Sequence, residues 1–194
     1  MNSLRHSIRQ ELFRLSRSIS IDVSTYQQFL NRLAINQRLV RSHNPSDHFC
    51  VFFVPYHRQS NAVFVGHHIK ADEWLPPGGH IEPEEHPLDT LKREIVEELK
   101  YPLTHERPAF FNLTVVDIAN PARSCRRHWD LWYRVELKKL IDFTYDRQEF
   151  YTASWLPLSQ ALSSLHSRRN YQAALASVAG KKPRKRIDLT SLKE

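Results

Sequence analysis

The segment from Pro87 to Leu99 constrains this chain more than any other. Leu88, Leu91, Ile95 and Leu99 recur at steps of three, four and four, the period of a helix that buries one side. Glu94, Glu97 and Glu98 are also related by three and four residues, so they share a second face, roughly 100° round the helix from the apolar stripe. Pro87 suits a first helical turn, and Pro102 stops the helix from running on. Just upstream, Gly78 and Gly79 are two of only four glycines in 194 residues. Paired glycines let backbone approach an ion or a phosphate closely. Three like charges on one face repel unless a cation neutralises them, and hard carboxylate oxygens suit Mg2+ or Mn2+. A Glu-rich helix considered alone is more often a solvated acidic face, so the choice between these readings falls to spacing.

Around this helix the chain reads as a mixture of helices and strands. Leu4, Ile8, Leu12, Leu15 and Ile19 give a first helical stripe, with Arg5, Arg9 and Arg17 elsewhere on the wheel. Tyr26, Phe29, Leu30, Leu33, Gln37 and Val40 give a second, with Asp22 or Ser24 as its cap and the segment 43–47 as its end. Phe49–Val54 and Ala62–Ile69 are strand candidates that could form a hairpin across the polar stretch 55–61. Phe110–Ile118, Trp129–Leu137 and the stretch ending at Trp155-Leu156 are further strands. Leu158–Leu165 and Tyr171–Val178 are helical. Strands interleaved with helices imply a mixed α/β or α+β sandwich. The expected organisation is a helical extension over residues 1–43, one domain over 44–180 and a basic tail over 181–194.

Composition narrows the setting. The hydrophobic fraction of 41% supports a real core, and the net charge of +7 favours anionic partners without choosing among them. Lys181, Lys182, Arg184, Lys185 and Arg186 crowd the tail, which could bind RNA or simply be solvated. Cys50 and Cys125 have no metal-ligand spacing with each other; reduced thiols in a cytoplasmic protein are the plain reading. No apolar run reaches membrane-spanning length. Residues 1–20 are Arg- and Ser-rich like a transit peptide, but the helical pattern continuing after them favours an amphipathic helix.

Spacing then decides the acidic helix. Gly79, five residues, Glu85, seven residues and Arg93-Glu94-Ile95-Val96-Glu97-Glu98 resemble the Nudix box, G-x5-E-x7-R-E-U-x-E-E-x-G-U, where U is a bulky aliphatic. Six of the seven fixed positions match, and a chance match of six in this chain is on the order of one in 100,000 at ordinary residue abundances. Lys100 stands where the box has its helix-ending Gly, and Tyr101 replaces the last aliphatic. Lys100 must therefore adopt the left-handed conformation at some cost or end the helix differently. The resemblance extends to Val65–Lys70, Trp74, the Pro-Pro-Gly-Gly-His run, Asp117-Ile118, His128–Leu131 and Trp155–Leu158, and covers roughly residues 46–165.

The resemblance implies an α/β/α sandwich with a mixed sheet, and hydrolysis of a diphosphate linkage in a nucleoside diphosphate-linked substrate, using Mg2+ or Mn2+. Carried over residue by residue, it makes Glu97 and Glu98 metal ligands, assisted by the Gly79 carbonyl. Glu94 becomes general base or further ligand, and Arg93, Glu85 and Gly78 become supporting residues. An additional acid often comes from outside the box, and Glu149 is the candidate. A binding or regulatory module of weak turnover and an RNA-end-directed hydrolase are the rival readings. His67, His68, His80 and His128 read as locally bonded strand or loop residues. Trp74, Trp129, Trp132 and Trp155 read mostly as core. The N-terminal stripes require cover, from the body of the protein or from a second copy in a homodimer.

Overall fold

The computed structural model describes residues 4–18, 22–119, 122, 124–165 and 169–180. Ile19 and the basic tail from Lys181 onward lie outside them. The centre is β1 (Asp47–His57), whose apolar residues run consecutively because both faces are covered. Phe49, Val51 and Phe53 point to one core, and Val54 and Tyr56 to the other. Along one edge β1 pairs in parallel with β6 (Arg127–Glu136), which pairs antiparallel with β5 (Ala109–Asp117). Along its other edge β1 meets two partners in turn: β4 (Gly78–His80), then the start of β2 (Ala62–His68). β2 in turn carries β3 (Glu73–Leu75) and β7 (Phe150–Pro157). The result is one mixed seven-stranded sheet. Helices α1 (Leu4–Ser18), α2 (Val23–Ala34) and α3 (Pro87–Leu99) cover one face. Helices α4 (Leu158–Ser164) and α5 (Arg169–Ala176) cover the other.

Two sequence expectations are corrected. The polar stretch at Pro55 was expected to turn, yet β1 continues to His57. The Phe53 N–H donates to the Pro77 carbonyl on the β4 edge, and pairing with β2 begins only at Tyr56. Backbone direction alternates along a strand, so the N–H that Pro55 lacks falls in the gap between these partners. The second helix ends at Ala34 rather than near Val40. The carbonyl of Leu33 accepts from Arg5 Nη1 (2.6 Å) and Arg9 Nη2 (2.9 Å), and that of Gln37 from Arg5 Nη2 (2.8 Å). Arginines of α1 thus satisfy carbonyls that a longer helix would have bonded itself. The short β3 and β4 had no hydrophobic period to announce them.

The N-terminal helices belong to the body of the protein. Ile8, Leu12, Phe29 and Leu33 are fully buried, in one cluster with Phe49, Val51 and Leu131 of the sheet. Asp22 caps α2, accepting the Thr25 N–H at 2.7 Å. The junction is polar as well: buried Arg32 donates to Asp47 Oδ1 at 2.6 Å and to the Arg38 carbonyl at 2.8 Å. Asp47 also accepts from Trp129 Nε1 at 3.1 Å. Breaking a buried pair from one side costs about 3–5 kcal/mol, and Asp47 is 26% exposed, which puts the cost at the lower end. Arg32→Ala should therefore lower the melting temperature by about 6–12 °C. A shift under about 2 °C would show that α2 is not fastened to β1 through this pair.

Candidate active site

α3 is placed by its apolar stripe, since Leu91, Ile95 and Leu99 are all but fully buried. Its end answers the question raised by Lys100, which takes the left-handed conformation (φ 51°, ψ 32°) while its N–H donates to Val96 O at 3.1 Å. Tyr101 then packs into the core.

The acidic face does not point to water as one unit. Glu94 and Glu98 are buried, whereas the Glu97 side chain is 56% exposed. Glycine makes that burial possible. Gly79 lies opposite Val51 on β1, on the sheet face that carries α3. A Cβ there would stand 1.9 Å from Glu94 Oε1, and a Cβ on Gly78 would stand 2.2 Å from the Val51 carbonyl oxygen. The bare Gly79 lets the helix close on β4, the bare Gly78 lets β4 close on β1, and the Gly78 N–H donates to Glu98 Oε2 at 2.8 Å.

Arg93 ties the acids together. Its Nε and Nη2 donate to the two oxygens of Glu85 (2.6 and 3.0 Å), and Nη2 also reaches the His80 carbonyl (3.0 Å). Its Nη1 donates to Glu94 Oε1 (2.8 Å) and Glu97 Oε2 (3.0 Å). Burial alone would raise Glu85, but hydrogen bonds from Arg93, Thr90 and the Glu82 amide hold it below the usual carboxylate range. Burial pushes Glu94 up, against the pull of Arg93. Burial also drives Glu98 well above the usual range, and the charge of Glu94 adds to it.

Glu149 comes to the same end of α3. The Asp146 N–H donates to the Glu98 carbonyl at 2.7 Å, the Ile69 N–H donates to the Glu149 carbonyl at 2.8 Å, and Glu149 is among the charges that raise Glu98. The Glu149 carboxylate lies 2.5 Å from Lys70 Nζ and 3.5 Å from His68 Nε2. Three of the four tryptophans are packed with satisfied N–H groups: Trp129 on Asp47, Trp132 on Thr114 and Trp155 on the Ile141 carbonyl.

Two features escaped the sequence reading. A cleft of about 580 Å³ opens beside Glu94, and Arg41 lines it with Ser42, Pro45, His80 and Glu82. Arg41 precedes the matched motifs, and no pattern in the sequence singles it out. The second is a group of His48, Cys50, His80 and His128, whose donor atoms all lie within 4.8 Å of one another. Only the register of β4, β1 and β6 brings them together.

The buried acids imply a pH dependence of stability. In the folded chain Glu98 holds its proton to higher pH than in the unfolded chain. The associated stability is fully present below the unfolded glutamate value, about pH 4.5, and is lost as pH rises through the folded value. Urea denaturation in EDTA should show wild type weakening across that window and Glu98→Gln weakening less. An equal or steeper loss in the variant would contradict the burial of an ionisable Glu98.

The NUDIX domain family matches residues 47–176. Comparison with curated proteins gave no match. Among solved structures, the E. coli dihydroneopterin triphosphate pyrophosphohydrolase superposes with a TM-score of 0.59 at 18% identity, over 69% of this chain and 96% of that one. The MutT protein of Bacillus halodurans gives 0.55 at 15%, over 70% and 84%, and that of Methanosarcina mazei Go1 gives 0.55 at 12%, over 74% and 95%. At these identities the likeness is one of fold, and it is the sandwich described above. The domain match covers the sheet, the Gly78–Gly79 strand and the acidic helix, and on that match the chain belongs to the Nudix hydrolase family.

Proposed function

We propose that this Nudix hydrolase is a divalent-metal-dependent enzyme that cleaves a diphosphate linkage in a nucleotide-type substrate. Glu94, Glu97, Glu98 and the Gly79 carbonyl are its metal ligands. The observation that carries this reading is the packing of α3 on Gly79 of β4, which gathers two buried carboxylates and a third, exposed one. Such an all-oxygen donor set fits Mg2+ or Mn2+, and the burial that raises Glu94 and Glu98 is the kind of strain a bound dication relieves. When bound, the ion would lower the pKa of a water and offset charge on phosphate oxygens.

The chain's own residues do the rest. Glu94 borders the cleft, where its carboxylate can accept a proton from the attacking water. The water oxygen bonds to phosphorus, the anhydride P–O bond breaks, and the leaving phosphate departs with its electron pair. Arg93 fixes Glu94 and Glu97, and Glu85 fixes Arg93. Arg41 offers the cleft a guanidinium, suited to phosphate oxygens. Glu149 is the additional acid, oriented by Lys70 and His68. The cleft volume suits a nucleotide-sized ligand, and a phosphate-release screen over a nucleotide panel with Mg2+ would identify the substrate. The two free thiols, Cys50 and Cys125, accord with a reducing cytoplasm, and among the described residues no helix is long and apolar enough to cross a membrane.

Glu98→Gln should lower kcat by about 100-fold or more and weaken its Mg2+ dependence, because it removes one ligand charge while keeping shape. Glu84→Gln, on an exposed side chain, should be nearly silent. Wild-type turnover in Glu98→Gln would sink the metal assignment.

A further inference from the structure

On the opposite side of the sheet from the carboxylates, the geometry points to a second, structural metal site for Zn2+, built from His48, Cys50, His80 and His128. The residues lie on three adjacent strands. His48 and Cys50 are two apart on β1, His128 lies opposite His48 on β6, and His80 lies opposite Cys50 on β4. Directly opposed residues, and residues two apart, share a sheet face, so all four side chains converge. The imidazole rings of His48, His80 and His128 are in mutual contact, with centroids 4.9, 4.9 and 5.2 Å apart. His48 and Cys50 are buried, and the Nε2 of His80 is buried with no hydrogen-bond partner among the described residues.

The donor chemistry selects the ion. Three imidazoles and one thiolate supply four nitrogen and sulfur ligands, a set that suits tetrahedral Zn2+ and that Mg2+ avoids. With Zn–N of about 2.0–2.1 Å and Zn–S of about 2.3 Å, tetrahedral ligand atoms stand roughly 3.3–3.7 Å apart. The four donors, within 4.8 Å of one another, need to close by only about 1 Å. His48 is already oriented on one side: its Nδ1 lies 3.0 Å from the Asn44 carbonyl, while its Nε2 lies 3.7 Å from the Cys125 sulfur, a contact that an ion at the cluster would replace. Charge balances as well. Asp130 is fully buried opposite Cys50 and accepts the Thr114 hydroxyl at 2.8 Å. With Asp130 ionised, one dication and one Cys50 thiolate bring the buried set to zero net charge.

Such an ion cross-links β4 to β1 and β6. β4 has only three residues, and its neighbouring residue Gly79 is the one that packs on Glu94. The zinc therefore holds the strand against which the catalytic helix closes.

The full chain, expressed with Zn2+ in the medium and then dialysed against EDTA, should retain close to one Zn2+ per chain by elemental mass spectrometry. Co2+ in its place should give the ligand-field bands of tetrahedral cobalt and a sulfur-to-cobalt charge-transfer band. Cys50→Ser should abolish the charge-transfer band, and His128→Asn should cut metal retention by about 10-fold or more. Glu98→Gln should keep its zinc, which separates this site from the carboxylates of α3. The wild-type measurement decides even if a variant fails to fold. Wild type without stoichiometric zinc and without a tetrahedral cobalt spectrum would overturn the assignment. So would zinc retained in full by both Cys50→Ser and His128→Asn.

Discussion

The Arg93 guanidinium stands among Glu85, Glu94 and Glu97, and the placement of each carboxylate depends on it. Arg93 suits this role better than a lysine would. Its planar fork engages Glu85 through two nitrogens and leaves a third for the other two acids. Its Nη2 also holds the His80 carbonyl, so the same side chain that gathers the acids fixes the end of β4. Removing Arg93 would leave Glu94 buried beside Glu98 with no cation, a change that costs about 3–5 kcal/mol in comparable settings.

The second constraint is steric. A buried carboxylate such as Glu98 must find donors, and the Gly78 N–H is one because Gly79 carries no side chain that would keep the helix away. Arginine and glycine thus act on different parts of the same problem. Gly79 allows the approach, and Arg93 keeps the approaching acids from repelling one another. Burial raises the proton affinity of Glu94 and Glu98, and the repulsion that remains adds to it. A cation would relieve it.

Much of this was legible in the sequence, because period and spacing are local properties. The stripe of α3, the strands β1, β2, β5 and β6, and the cap at Asp22 all follow from residues close together in the chain. The Gly–Glu–Arg–Glu spacing placed the acids on a helix after a tight backbone approach. It could not tell buried Glu98 from exposed Glu97, because that difference comes from how β4 sits on α3. Non-local chemistry was hidden for the same reason. Arg5 and Arg9 end α2 early from another helix. Pro55 is tolerated only because β1 changes partners beside it. The group formed by His48, Cys50, His80 and His128 exists only once three strands are in register.

With Glu94 and Glu98 as ligands of raised proton affinity, a divalent ion must displace protons to bind. A calorimetric titration of Mn2+ into the full chain over a series of pH values tests this most directly. Metal ligation by acids with raised proton affinity releases protons, so the apparent affinity should climb with pH above the ordinary glutamate range. The climb should be shallower in Glu98→Gln. Mn2+ affinity that is independent of pH in wild type, or equal in the two proteins, would contradict the metal site on α3.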